Sequence, residues 1–286
     1  MAAKKKNHTV TRGYLTGWKA AGPEGRNGLW YFDLEKGEVA FSSSLNAPFA
    51  ISKYLYSPKN IDGIRDDRFE NWISESESDL CSFVRNYSSA KPVRSNPKVV
   101  LNAINSAICM GYRSEYTVKT LEAELLKQNP DIDIGILKLT VLNDLYETAH
   151  ERMRFFRDGT ILVLRGISSP LLTNDQPFWD MTPQDEAHPI GMFTLSPNCL
   201  MLLSPNHKQP DCGFKVVFRP ARECSELVDF ARLAAMRMAR KWVVCSSERE
   251  ARDVAAYLTE ERIAEAASTD RLRPMPYTEA RTLFPI

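Results

Sequence analysis

Residues 135–164 read GILKLTVLNDLYETAHERMRFFRDGTILVL and change period partway along. Ile136, Leu139, Leu142, Leu145, Ala149, Met153 and Phe156 recur mostly at spacings of three and four. That stripe predicts a packed amphipathic helix over 135–157. Asp158-Gly159 ends it, and Thr160-Ile161-Leu162-Val163-Leu164 follows. This second run is too short for a helix and reads as a strand. A long helix delivering the chain directly into a strand points to an α+β fold.

The segments upstream are mainly helical. Phe69, Ile73, Leu80 and Val84 mark a helix over 66–87, and 97–112 and 116–128 read as two more, the last ended by Asn129-Pro130. Before them, Leu29-Trp30-Tyr31-Phe32, a turn at Glu35-Lys36-Gly37-Glu38 and Val39-Ala40-Phe41 predict a β-hairpin over 28–42. Residues 43–64, with Tyr54-Leu55-Tyr56, read as loop. Downstream, 190–195, 199–204 and 214–219 read as strands between loops rich in Pro, Asn and Asp. A helix follows near 222–240, then the strand Trp242-Val243-Val244-Cys245. Ser246-Ser247-Glu248-Arg249-Glu250 resembles a capped start for a helix over 248–267. From Arg271 the three prolines predict an extended tail, 271–286.

The expected architecture is one α+β domain over 1–286: an N-terminal hairpin, a central helical block and a C-terminal mixed sheet with flanking helices. Within it, 66–157 form a helical lobe and 160–267 a β-rich lobe with two late helices. A hairpin alone is marginal and needs a sheet or helix to cover it, which favours one domain over two.

The 286 residues are 43% hydrophobic and 26% charged, with a net charge of +1. This balance offers no global field for nucleic acid or anionic membranes. Arg232, Arg237, Arg240 and Lys241 form one basic stripe, and Arg152, Arg154 and Arg157 a second cluster. Only Trp242 lies near the first, so nucleic acid is the minor reading of the partner. Cys81, Cys109, Cys199, Cys212, Cys224 and Cys245 are too far apart for a zinc knuckle or a redox pair and read as reduced core thiols. The Lys4-Lys5-Lys6 start has no apolar segment behind it, and no run is long enough to span a bilayer. A cytoplasmic, soluble chain is the expectation. No phosphate-binding glycine loop, HExxH or GxSxG occurs. His8, His150, His188 and His207 are scattered, which argues against a histidine-rich metal site.

Asn7-His8-Thr9-Val10-Thr11-Arg12-Gly13-Tyr14-Leu15, followed by Trp18, resembles the N-H-x-V-P-[RK]-x-Y-L start of the domain-of-unknown-function family 4238. Further features follow in that family's order. They are Glu70 and Glu77 in an E-x6-E arrangement, Arg113 in Met110-Gly111-Tyr112-Arg113-Ser114, Thr173-Asn174-Asp175-Gln176-Pro177 for a T-S-D-N-P box, and Phe193-Thr194-Leu195-Ser196-Pro197 for a P-L-S-P box. The resemblance spans roughly residues 7 to 246. Thr11, Asn174 and Thr194 depart from the family pattern, which touches local turn geometry. The family's name states no activity, so the resemblance implies none.

The residue chemistry supports two readings. In the first, the protein is a hydrolase, nuclease-like, acting on a phosphate-bearing substrate. His8, Glu77 and Asp175 are catalytic, and His8 can shuttle a proton near neutral pH. Arg12, Tyr14 and Arg113 bind the substrate, with arginine forks clamping its anion. Glu70, Glu77 and Asp175 hold a divalent cation as cofactor. Arg12, four residues after His8, would share its helical face. In the second reading the protein is a non-catalytic sensor or partner-binding module of microbial defence or stress response, and the same residues form a structural polar network. His8 then pins the N-terminal segment. Glu70 and Glu77 face solvent and pair with Arg65, Arg68 or Arg85, and Asp175 shapes its loop. Arg113, at a helix end, is expected to pair with Asp175 or Glu77.

Overall fold

The computed structural model describes residues 6–44, 47–59, 63–182, 188–205, 213–265 and 277–284. The chain opens with β1 (Lys6–His8), the one-turn helix α1 (Arg12–Leu15), β2 (Ala20–Ala21), β3 (Asn27–Asp33), β4 (Glu38–Ser42) and β5 (Ile51–Lys53). The helical block is α2 (Arg68–Ser88), α3 (Pro97–Tyr112), α4 (Glu115–Gln128) and α5 (Ile134–Phe155). Then come β6 (Gly159–Arg165), β7 (Thr173–Asn174), β8 (Phe178–Asp180), β9 (Gly191–Ser196), β10 (Cys199–Ser204) and β11 (Phe214–Pro220). The final elements are α6 (Ser225–Arg237), β12 (Trp242–Cys245), α7 (Glu248–Glu265) and α8 (Tyr277–Thr282).

Local chemistry sets many of these boundaries. Asn96 caps α3 by accepting from the Lys98 amide, with Pro97 in the first turn. Ser114 caps α4 through the Thr117 amide, and Asp133 caps α5 through the amides of Gly135 and Ile136. In the β3–β4 turn, Asp33 Oδ1 accepts from the amides of Glu35 and Lys36, and Gly37 takes a φ of +68°. The start of α7 is stapled from both directions: the Glu250 amide donates to Ser247 Oγ, and the Ser246 amide donates to Glu250 Oε2.

The fold is α+β. A mixed sheet in the order β11-β6-β10-β9-β8 forms its centre, antiparallel except where β11 runs parallel to β6. A second sheet has the order β2-β3-β12-β7, with β4 on β3, so the C-terminal strand Trp242–Cys245 pairs with the N-terminal hairpin. Strand alternation divides the core in two. Ile161 and Val163 of β6 and Met201 and Leu203 of β10 face the α2, α3 and α5 side, while Leu162, Leu164, Leu200 and Leu202 face the α6 and α7 side. Burial on both faces explains why these strands read as continuous apolar runs. The helical and β-rich stretches therefore share one sheet. Among the described residues no helix is long and apolar enough to cross a membrane.

Several expectations are corrected. The stretch read as loop contains β5, which pairs with β1 as Asn7↔Ser52. Thr173–Asn174, read as loop, forms a short strand on β12. Both pairings are non-local and leave no local pattern. Ile136 is 48% exposed, and Leu137 and Val141 are buried instead. Helix α5 packs against both α3 and α4, and serving two neighbours rotates and widens its buried face. In the tail, 271–276 lie outside the described residues, but α8 brings Ala280 and Phe284 into the second core.

Gly159 joins α5 to β6 with a φ of +138°, and a Cβ there would lie 2.2 Å from the Ser204 carbonyl oxygen. Gly166 has a φ of +72° and open space around it. In urea titrations, Gly159→Ala is expected to cost well above 2 kcal/mol and Gly166→Ala only about 1 kcal/mol, because only the first adds a backbone collision to the strained φ.

Candidate functional site

The N-terminal segment is tied down residue by residue. Asn7 is buried and its Oδ1 accepts from the Tyr56 amide at 3.2 Å. Thr9 donates from its amide (3.0 Å) and its Oγ1 (3.2 Å) to the Ala50 carbonyl. Between them His8 sits on a strand and is half-buried, while Arg12 is exposed at the start of α1. The shared helical face expected for His8 and Arg12 does not exist, because the chain is extended at His8 and coils only from Arg12.

Arg113, at the C-terminus of α3, receives this segment. It is 1% exposed. Its Nε donates to the Thr9 carbonyl at 3.0 Å, and its Nη2 donates to Thr11 Oγ1 at 3.2 Å and to Glu77 Oε1 at 2.7 Å. Its own carbonyl accepts from the Tyr56 hydroxyl. One guanidinium thus joins α3, α2 and the β1–α1 connection. The partner is Glu77 of α2, which resolves the expected choice between Glu77 and Asp175. Burial pushes the Glu77 carboxyl up, but the Arg113 charge, hydrogen bonds from Thr11 and Arg113, and nearby His8 outweigh it and hold it below its ordinary value. Glu70, two turns earlier on α2, is buried rather than solvated.

Tyr14 is corrected as a substrate contact. It is fully buried, and its hydroxyl donates to the Thr194 carbonyl at 2.7 Å. With that proton used, it accepts from Thr173 Oγ1 at 2.8 Å. Its ring packs on Trp18 and Phe193, and Trp18 Nε1 donates to the Leu171 carbonyl. Burial raises the Tyr14 hydroxyl far above its ordinary range, so it stays a neutral pin.

Asp175 belongs to another corner. It is 2% exposed, and Oδ1 accepts from the amides of Arg240 (2.9 Å) and Lys241 (3.2 Å), where α6 gives way to β12. Burial raises its carboxyl above the ordinary value, partly offset by these amides. Asn174 Nδ2 holds the Ala235 carbonyl of α6, and Gln176 Nε2 donates to Ser114 Oγ and Thr117 Oγ1 at the start of α4. The 173–176 box thus links β12, α6 and α4. The proposed cation set of Glu70, Glu77 and Asp175 is corrected too. Glu77 faces Arg113 and Asp175 faces the 240–241 amides, and no three His, Cys, Asp or Glu side chains among the described residues are placed to hold a metal ion.

Sequence reasoning missed Glu115. Its Oε2 accepts from Lys241 Nζ at 2.7 Å and from Ser52, and Oε1 pairs with Lys119 at 2.6 Å. Only the i,i+4 partner Lys119 could have signalled it. It also missed three concavities. Two lie between α2 and α5 on either side of Trp72, of about 350 and 380 Å³. The third, about 650 Å³, runs beside β11 and is lined by Tyr87, Val93, Arg94, Lys215 and Phe218, among others.

Burial pushes the Glu115 carboxyl up, but bonds from Lys119, Lys241 and Ser52 bring it down to about 2, against an ordinary 4.5. A depressed folded pKa adds stability that is complete above the unfolded value and lost as pH falls through the folded one. The stability difference between the native chain and Glu115→Gln is therefore expected to be level above pH 4.5 and to shrink as pH falls towards about 2. Thermal unfolding of both proteins at a series of acid pH values measures it. A difference independent of pH would contradict this account.

Compared with family models, with curated proteins and with solved structures, the chain matches none.

Proposed function

We propose that the chain is a non-catalytic partner-binding module. Its motif residues build the scaffold, and an extended acidic segment of a partner docks beside β11. The observation that carries this reading is the state of Arg113, 1% exposed and bonded to Thr9, Thr11 and Glu77. A clamp for a substrate anion must reach solvent, and this one is closed inside the protein, with Nε and Nη2 bonded and only Nη1 without a partner among the described residues. Tyr14 and Asp175, 0% and 2% exposed, are closed to solvent in the same way.

The groove supports the choice of partner. Among the described residues β11 pairs only with β6, so its outer edge can accept another strand. Val93 and Phe218 are 71% and 38% exposed there, and the charged side chains among the residues lining the groove are Arg94 and Lys215, both basic. An extended peptide alternating apolar and acidic residues matches edge, floor and charge together. The hydrolase reading keeps one support: His8 is half-buried and close enough to Glu77 to help lower its carboxyl. Membership of the domain-of-unknown-function family 4238 stays a proposal, supported by the order of its motif-like segments between residues 7 and 246.

A fluorescein-labelled peptide alternating valine with aspartate is expected to bind, with affinity falling as salt rises, and its lysine counterpart is not. Lys215→Glu should weaken the acidic peptide about tenfold, the size of one lost charge contact at a groove. Fluorescence anisotropy reads both. Equal binding of the two peptides, or none, rejects the docking surface.

The scaffold role predicts that Glu77→Ala leaves a buried guanidinium unpaired and costs about 3–5 kcal/mol, read by chemical denaturation. Cleavage of RNA or DNA with Mg²⁺ or Mn²⁺ that His8→Ala abolishes without lowering the melting temperature would restore the hydrolase.

A further inference from the structure

Helices α2 and α5 both rest on α3. Between them lies the cleft that Trp72 divides. The Trp72, Tyr146 and His150 rings bridge it, with centroids 4.7 Å apart for Trp72–Tyr146, 4.6 Å for Tyr146–His150 and 5.8 Å for Trp72–His150. On the far side of Trp72 is the cavity of about 380 Å³. Three helix faces build it. Lys98, Asn102, Asn105 and Cys109 step along α3 at spacings of four, three and four, which keeps them on one face. Trp72, Ile73 and Ser76 come from α2, and His150 and Met153 from α5.

The polar groups are arranged, not scattered. Asn102 Nδ2 donates to Asp79 Oδ2 at 2.7 Å, which fixes that side chain. Asn105 Oδ1 is buried and has no hydrogen-bond partner among the described residues. A buried amide oxygen without a donor is costly, and a turn of the Asn105 side chain towards the cavity it lines would let a ligand's donor satisfy it. Lys98 is exposed in the first turn of α3, a 16-residue helix whose N-terminal dipole also favours an anion.

We propose that this cavity binds a small planar heteroaromatic with a mixed donor–acceptor edge and one anionic substituent, the chemistry of a nucleoside monophosphate. The ring lies against the Trp72 and His150 surfaces, since stacking on aromatic side chains accepts any base. The Asn105 amide reads the ring edge, as an amide offers one donor and one acceptor side by side. Lys98 meets the phosphate as a point charge at the mouth. Glu75, also at the lining, turns the phosphate towards the Lys98 side. The volume falls within the range of small-ligand sites. None of these residues belongs to the Arg113 hub or the β11 groove, so this site stands or falls independently of both.

Isothermal titration calorimetry with AMP, GMP, CMP and UMP tests it, with ribose 5-phosphate as the control that lacks the ring. At least one nucleotide is expected to bind at about 1 mM or tighter, and ribose 5-phosphate is not. Asn105→Ala should weaken the nucleotide about tenfold, the effect of one lost buried hydrogen bond. Lys98→Gln, at an exposed position, should weaken the nucleotide while leaving the matching nucleoside unchanged. Thermal unfolding shows whether Asn105→Ala is folded, and Lys98→Gln carries the test if it is not. The proposal is overturned if no nucleotide binds, if ribose 5-phosphate binds as well as the nucleotides, or if both folded variants bind like the native chain.

Discussion

The Arg113–Glu77 pair is the constraint on which the N-terminal third depends. A guanidinium that is 1% exposed cannot be left without acceptors, because a buried charge is tolerated only when paired and hydrogen-bonded. Its acceptors come from two places far apart in sequence: Thr9 and Thr11 on the β1–α1 connection, and Glu77 on α2. Satisfying one side chain therefore fixes the approach of the β1–α1 connection to α2 and α3. The apolar residues that follow, Val10, Tyr14, Leu15 and Trp18, can then enter the main core. A hydrophobic replacement of such a pair can be as stable. What the pair adds is geometry, since only one placement of residues 9–11 supplies both the Thr9 carbonyl and the Thr11 hydroxyl.

The two cores repeat this logic on a larger scale. The strands β6, β9 and β10 send alternate side chains to opposite faces, so neither the helical block nor the α6–α7 side completes its core without the shared sheet. Hydroxyls and amides close the seams. Tyr14 reaches from α1 to Thr173 and Thr194, Trp18 to Leu171, and Gln176 to Ser114 and Thr117. These polar contacts are long-range in sequence, and those of Tyr14 and Trp18 are buried, where a hydrogen bond has no water to compete with.

The sequence made legible what depends on neighbours in the chain. The stop at Asp158-Gly159, the apolar run of β6 and the capped start at 246–250 all act within a few residues, and the helices and strand they bound lie where the pattern puts them. What remained hidden depends on contacts across the chain. The β1–β5 and β7–β12 pairings join segments about 45 and 70 residues apart, and neither segment carries a strand-like pattern of its own. The same division holds for the site. Arg113 was readable as needing a carboxylate, because a helix-end arginine amid apolar residues demands one. Tyr14 was misread because a hydroxyl reads the same whether it faces a ligand or the Thr194 carbonyl. Glu115 was missed because its partner Lys241 lies 126 positions away. Trp72, Asn105 and His150 sit on three separate helices, and only packing brings them to one cavity.

Half-buried Glu77 and buried Asp175 are carboxylates of opposite character. Glu77 is held below its ordinary pKa, so it favours the fold above that value and loses its contribution as pH falls. Asp175 is held above its own, so the folded state takes up a proton more readily than the unfolded chain. Its contribution is therefore most favourable in acid and declines as pH rises through the raised value. At neutral pH Asp175 works against stability as a charge, yet it is the acceptor for two consecutive amides, Arg240 and Lys241, at the exit of α6. Those amides sit where the helix has ended and β12 has not begun, so neither element's ladder serves them. Both amides bond Oδ1, while Oδ2 is buried with no hydrogen-bond partner among the described residues, so an asparagine would keep the acceptor but put an amide with two donors where Oδ2 sits. The ionisation cost is the consequence of placing an acceptor-only group at a corner that supplies only donors.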